Sequence, residues 1–174
     1  WYFDAALYAS SHNLMLGTSP TEFSPNITMT RGMLVTVLYR MNGSPSVSGK
    51  TPFTDVRTDE WYSAAVLWAY QNGIVTGMSD TTFAPINNVT REQMATILFR
   101  YTKTAAPDKA KASADLSGFA DAGSVNDWAV DAMRWAVGQK LIAGITLEQS
   151  VYLQPRGNAT RAQAATVLTR YYAQ

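Results

Sequence analysis

The sequence predicts an all-α fold of three helix-loop-helix repeats closed into a pseudo-threefold bundle. Three observations predict it: a unit of about forty residues recurs three times in register, apolar residues inside each unit recur at helical spacing, and one such unit is too small to stand alone. Fixed anchors carry the register. Trp1, Trp61 and Trp128 open the copies, and Gly17, Gly77 and Gly144 each follow sixteen positions later. Pro25 and Pro85 follow their tryptophans by twenty-four positions and Pro155 by twenty-seven, because the third copy carries three extra residues in "ITLEQSVYLQ". Arg31, Arg91 and Arg161 repeat with the same offset, and Arg40, Arg100 and Arg170 lie nine positions beyond them. Repetition at a fixed period marks units that bury their faces on one another. Chains below roughly 40 residues seldom fold unaided, so the three units are expected to share one core. An open solenoid is the competing arrangement, but three repeats would leave both end faces bare.

The elements follow in order. In repeat two, Trp61, Ala65, Trp68, Ala69 and Asn72 fall on one face of a first helix. Asp59 is its candidate N-cap and Asn72-Gly73 its stop. The loop "MSDTTFAPINN" follows, in which Phe83 is expected to turn inward and Pro85 forbids helix. A second helix is expected from Thr90, with Met94, Ile97, Leu98 and Tyr101 on its apolar stripe. The matching stripes are Leu34, Val37, Leu38 and Met41 in repeat one and Ala164, Val167, Leu168 and Tyr171 in repeat three. The repeats occupy 1–41, 53–101 and 119–173, and the Ser-, Gly-, Pro-, Ala- and Lys-rich stretches 42–52 and 102–118 read as linkers. Repeats two and three carry the prefaces "FTDVRTDEW" and "FADAGSVNDW", which repeat one lacks. The chain is therefore expected to begin inside its first repeat, as a piece of a longer protein.

Composition narrows the function classes. Fourteen Lys and Arg against thirteen Asp and Glu leave no basic excess to track a phosphate backbone, so nucleic acid is not an expected partner. The absence of Cys removes disulfides, thiolate metal sites and Cys nucleophiles, and one His, His12, argues against zinc clusters and Ser-His-Asp sites. No cofactor and no metal are expected. No run of eighteen apolar residues is present, so no membrane insertion is expected. Paired carboxylates could in principle hydrolyse a glycan. Asp55, Asp59 and Glu60, however, lie at a helix start where acids are favoured anyway, and no acid constellation recurs in all three copies. The chain is not expected to be an enzyme.

The pairs Thr30-Arg31, Thr90-Arg91 and Thr160-Arg161 raise the sharpest question. Thr90 with Gln93 and Thr160 with Gln163 fit a capping box, while repeat one has Met33 in place of Gln and loses half of it. Capping does not explain the arginine, which opposes the helix dipole by about 0.3–1 kcal/mol when exposed. Two accounts stand open. The side chain folds back onto an acid or carbonyl of the preceding loop, or it joins free helix N–H groups to form an anion site suited to a carboxylate. Arg40, Arg100 and Arg170 read as solvated helix ends, where a cation is welcome. The three tryptophans read as core at helical spacing, and stacking on a sugar face is their other use.

Each unit resembles an S-layer homology (SLH) motif, on Phe53-Thr54-Asp55, Trp61 to Ala65, Gly77, Phe83-Ala84-Pro85 and Thr90-Arg91-Glu92-Gln93. The resemblance implies a pseudo-trimeric SLH helical bundle. It further implies a non-catalytic module that anchors an exported or S-layer protein to the bacterial cell wall. The implied partner is a cell-wall polysaccharide, namely a secondary cell-wall polymer or a peptidoglycan-linked glycan, acidic through a pyruvate ketal and held in grooves between motifs. The family's arginine maps onto Arg31, Arg91 and Arg161. The candidate ligand-binding set adds Thr30, Thr90, Thr160, Gly17, Gly77, Gly144, Ser19, Ser79, Trp1, Trp61 and Trp128. The groove expected to match best uses Gly77, Ser79 and Arg91. Departures are Met33, Gln93 and Gln163 where the family has Glu, Leu153 where it has Phe, and the missing preface of repeat one. The implied state is a monomer, and a structural or protein-interaction module without glycan binding is the alternative.

Overall fold

The computed structural model describes residues 1–111 and 113–173; Ala112, inside the expected second linker, lies outside the described residues. Among the described residues the regular structure comprises six α-helices, one small sheet and three single-turn 3-10 helices: α1 (Phe3–Ser11), α2 (Arg31–Met41), α3 (Ser63–Gln71), α4 (Arg91–Ala105), α5 (Val130–Gly138), α6 (Arg161–Tyr172), β1 (Ile145–Leu147) and β2 (Ser150–Tyr152), with the 3-10 turns at Pro107–Lys109, Ala122–Ser124 and Asp127–Ala129. The two helices of one repeat do not form the main packing pair. Instead the first helix of each repeat packs on the second helix of another: α3 on α2, α5 on α4 and α1 on α6. Aromatic contacts mark two of these seams, Tyr39 with Trp68 at 5.7 Å and Phe99 with Trp135 at 5.3 Å. At the third, Thr169 Oγ1 donates to the Ala5 carbonyl. Because α1 and α6 are the first and last helices, their contact closes the array, which an open solenoid does not do.

The predicted second-helix stripes form the centre of the core. Leu34, Val37, Leu38, Met94, Ile97, Leu98, Ala164, Val167 and Leu168 are all buried. Just ahead of these helices the backbone makes a closed ring of hydrogen bonds. Met29 donates to Ala159, Ala159 to Val89 and Val89 to Met29, at 2.8, 2.9 and 2.9 Å, and all three residues are fully buried. Thr30, Thr90 and Thr160 then cap α2, α4 and α6, each accepting from the amide of the third helical residue. The second half of the box forms with Gln93 and Gln163, and Met33 cannot supply it in α2.

Four expectations need correction. The chain is not purely helical, because the insertion in repeat three forms the hairpin β1–β2, with Leu147 paired to Ser150. Its β-branched and aromatic residues suit strands, and Glu148 takes φ 54° in the turn. Trp1, Trp61 and Trp128 are not core: they are 83%, 56% and 53% exposed. Each precedes its helix by two residues and so stands outside the face that points inward. Asp59 does not cap α3, since its carboxylate pairs with Arg57 at 2.9 Å on the surface. The segment after Tyr101 is not all linker, because α4 continues to Ala105 with Thr102 fully buried. Both connecting stretches also dock on the bundle. Gln71 Nε2 donates to the Ser48 carbonyl, and Trp135 Nε1 donates to the Lys109 carbonyl at 2.8 Å.

Glu92 is a buried acid that no repeat pattern announces, since Gly32 and Ala162 hold the matching places. Its carboxylate accepts from the Asn126 amide at 3.0 Å and from Asn126 Nδ2, clasping repeat three to α4. Glu92→Ala is expected to lower stability by about 1–3 kcal/mol, because it strips both Asn126 donors of their partner. A thermal melt checks this, and a melting temperature within 1 °C of wild type, on the order of 0.5 kcal/mol or less, would contradict it.

Candidate functional site

The loop between the two helices of a repeat is held from both sides. From its own repeat, Asp55 accepts from the Phe83 amide at 2.9 Å and the Ala84 amide at 2.7 Å. Asp121 does the same for Leu153 and Gln154, at 2.7 Å each. Ala84 and Gln154 sit at φ 58° and 50°, a backbone region unfavourable to both, and the carboxylates hold them there. The phenylalanine two residues earlier lies over the loop glycine. A Cβ on Gly77 would come within 2.6 Å of Phe53, and one on Gly144 within 2.8 Å of Phe119, so those positions must be Gly.

From the neighbouring repeat, the same loop receives the arginine. Arg31 Nε donates to the Phe83 carbonyl at 2.8 Å, Arg91 Nε to Leu153 at 2.7 Å and Arg161 Nε to Phe23 at 3.0 Å. Arg91 and Arg161 add second bonds from Nη2 to the carbonyls of Ala143 and Leu16. The guanidinium carbons of Arg31 and Arg161 stand 4.7 and 4.9 Å from the ring centres of Phe83 and Phe23. The helix-end amides are taken as well. The first two amides of α2 donate to Asn87 and Pro85, those of α4 to Gly157 and Pro155, and those of α6 to Ile27 and Pro25, all at 2.8–2.9 Å. The free N–H groups that one of the two accounts places beside the arginines are therefore taken. The carbonyls that use them belong to a different repeat, which one repeat's sequence could not reveal.

Two grooves open where three repeats meet. The first, of about 330 Å³, joins Arg31 of repeat one, Gly77, Gln93, Thr96 and Arg100 of repeat two, and Trp128 of repeat three. The second, of about 430 Å³, joins Arg91 with Gly144, Gln163, Thr166 and Arg170 of repeat three and Trp1 of repeat one. The expected grouping of Gly77 and Ser79 with Arg91 is thus wrong. Gly77 shares a groove with Arg31, and Arg91 with Gly144. Ser79 turns back on its own loop, its Oγ accepting from the Thr81 amide, and Ser19 does the same for Thr21. Thr30, Thr90 and Thr160 spend their hydroxyls on capping. The corresponding residues of the third junction are Arg161, Gly17, Met33, Thr36, Arg40 and Trp61.

Arg100 and Arg170, read from sequence as solvated ends, line the grooves. Arg100 Nη1 donates to Thr76 Oγ1, and Arg170 Nη1 to the Leu141 carbonyl. Their fixed nine-residue spacing from the first arginines was the available signal. Arg31, Arg91 and Arg161 are each only 5% exposed. Burial pushes the Arg31 guanidinium down to about 10; Asp55 opposes the shift and Arg100 adds to it. Arg91 is lowered by burial against the attraction of Asp121, and Arg161 by burial. Arg57–Asp59 is the one salt bridge among the described residues. Arg31, Arg91 and Arg161 are therefore buried cations without a carboxylate in contact.

The repeat anchors agree with comparison to known proteins. The family model described as the S-layer homology domain matches residues 52–95 and 118–165. The chain belongs to the S-layer homology domain family. It is 32% identical over 97% of its length to an endoglucanase of Bacillus sp. (strain KSM-635), covering 17% of that protein. It is 29% identical over 97% of its length to an amylopullulanase of Thermoanaerobacterium thermosulfurigenes, covering 9%. It is 32% identical over 88% of its length to the surface-layer 125 kDa protein of Lysinibacillus sphaericus, covering 12%. The chain thus spans less than a fifth of these relatives, and their enzymatic names belong to those whole proteins. Membership makes this SLH chain a binding module that anchors proteins at the bacterial cell surface. No helix of the described residues is long and apolar enough to cross a membrane.

Proposed function

We propose that the SLH chain binds an acidic cell-wall polysaccharide, a secondary cell-wall polymer bearing a pyruvate ketal, in the grooves at Arg31 and Arg91. The single observation that carries this reading is the pairing of two arginines without a contacting carboxylate in each groove, next to an exposed tryptophan. A carboxylate on a sugar answers the guanidinium charge, and an indole face suits the apolar face of a pyranose ring. A glycan suits these grooves because each sets arginine, glutamine and threonine side chains beside an exposed indole. We read the chain as a monomeric pseudo-trimer, a reading supported by the cyclic bonds through Met29, Val89 and Ala159 within one chain.

Arg100 and Arg170 provide the cleaner test because they are less buried than Arg31 and Arg91. Arg100→Ala combined with Arg170→Ala is expected to weaken binding to purified, pyruvylated wall polymer by about tenfold or more, the worth of one charged hydrogen bond per groove. The melting temperature is expected to stay within about 4 °C of wild type. Unchanged affinity would sink the proposal. Equal binding to polymer stripped of pyruvate would retain the grooves but remove the ketal from it. The alternative is a purely structural use of the arginines, favoured by their bonds to loop carbonyls; it expects no polymer binding by wild type.

A further inference from the structure

The apolar stripes of α2, α4 and α6 end at three matching positions, Met41, Tyr101 and Tyr171. Beside these residues lies a cavity of about 220 Å³, whose walls also include Lys109, Trp135 and Gln139. It shares no lining residue with either groove. The grooves use Arg100 and Arg170, whereas the cavity uses the next residue of each helix, turned about 100° around the axis.

Its walls are largely aromatic. Between ring centres, Tyr171 stands 6.0 Å from Tyr101 and 6.5 Å from Trp135. Most of the polar atoms there are engaged. Trp135 Nε1 donates to the Lys109 carbonyl, and Tyr171 Oη is hydrogen-bonded to Thr102 Oγ1 at 3.2 Å. Tyr101 is the exception. The residue is only 7% exposed, yet its hydroxyl bonds to none of the described residues. Among those residues no fully buried side-chain polar atom lacks a partner. The Tyr101 oxygen is therefore reachable, and the opening is the cavity that it lines. Burial, helped by the neighbouring Tyr171, pushes the Tyr101 hydroxyl up in pKa and so keeps it an O–H donor.

We propose that this cavity holds one uncharged pyranose residue of a glycan. Tyr101 Oη can donate to one sugar hydroxyl and accept from another. The half-buried Tyr171 ring offers an apolar surface for the C–H face of the sugar. The space is smaller than either groove and suits a single ring better than a length of chain. No carboxylate lines it, so a cation finds no partner there, and Lys109 opposes one. Lys109 is itself exposed and holds an anion only weakly. A wholly apolar occupant would cover the Tyr101 hydroxyl and leave it unpaired. The inference does not rest on what the grooves bind.

The test titrates the chain with glucose, galactose, mannose and N-acetylglucosamine to about 50 mM, since one small ligand binds weakly. The Trp135 indole N–H resonance reports on the cavity wall directly. At least one sugar is expected to move it saturably. Tyr101→Phe is expected to weaken that sugar by about threefold or more, the worth of one neutral hydrogen bond. The variant keeps the ring and its packing on Trp68 and Tyr171, so its melting temperature should stay within about 4 °C. Arg100→Ala with Arg170→Ala should leave the titration unchanged, which separates this site from the grooves. No saturable shift with any of the four sugars, or equal affinity in Tyr101→Phe, would overturn the inference. A shift at Trp1 and Trp128 in place of Trp135 would also overturn it, by placing the sugar in the grooves.

Discussion

Phe83→Ala is expected to lower stability by about 3–5 kcal/mol, a fall of roughly 6–20 °C in melting temperature. The ring is fully buried and sits where three features meet. Phe53 packs on it at 5.7 Å, Arg31 lies over it at 4.7 Å, and its own main chain is held by Asp55 and by Arg31 Nε. Truncation keeps those main-chain bonds possible but leaves a cavity under both the preface and the arginine. Binding in the Arg31 groove should fall with it, since the platform that aims the guanidinium is gone. Phe23→Ala, at a half-buried ring, should cost less. If the two substitutions cost the same, the ring at Phe83 does not have the central role assigned to it. Urea melts of both variants make the comparison directly.

Arg31→Ala combined with Arg91→Ala is expected to abolish measurable polymer binding and to lower stability by about 1–3 kcal/mol per site. The stability loss has a definite source. Removing Arg91 leaves the Leu153 and Ala143 carbonyls without their donors, and removing Arg31 does so for Phe83. Arg31→Lys with Arg91→Lys separates the roles: charge is kept, but one ammonium cannot reproduce the fork that holds a loop carbonyl, or two at Arg91, and still reaches a ligand. Affinity should therefore stay well below wild type, and full binding by the lysine variant would show that charge alone suffices. Acidity gives a second handle. The Arg31 guanidinium is lowered to about 10 in the fold, well below its usual value. Burial of its charge therefore opposes folding in full below about pH 10, and this opposition fades as pH rises above about 10. An anionic ligand favours the charged form, so affinity in the Arg31 groove should decline as pH passes about 10. An Arg31→Gln variant, lacking that group, should lose this part of the pH dependence.

Much of the fold was legible because it is written three times. Thr90 and Gln93 gave the helix start, the stripe of Met94, Ile97, Leu98 and Tyr101 gave its buried face, and Phe83 was placed inward on its pattern alone. These are local properties, fixed by spacing along one helix or loop. The hairpin at Ile145–Tyr152 and the extension of α4 to Ala105 were not read, since short strands and helix ends carry weak local signals.

The sequence by itself determined the repeat, the caps, the core stripes and the positions of the recurring arginines, because each depends on neighbours within a few residues. Tertiary structure alone decided what those arginines meet. Repeat one lends Arg31 to the loop of repeat two and repeat two lends Arg91 to that of repeat three; beside each of these two loops the receiving repeat's own second arginine, Arg100 or Arg170, and a tryptophan of the remaining repeat line the groove so formed. Gly77 therefore faces Arg31 and not Arg91, although Arg91 is far closer in sequence. The physical reason is closure: a forty-residue unit cannot bury its own face, so its contacts, and with them its site, are completed by the two units beside it.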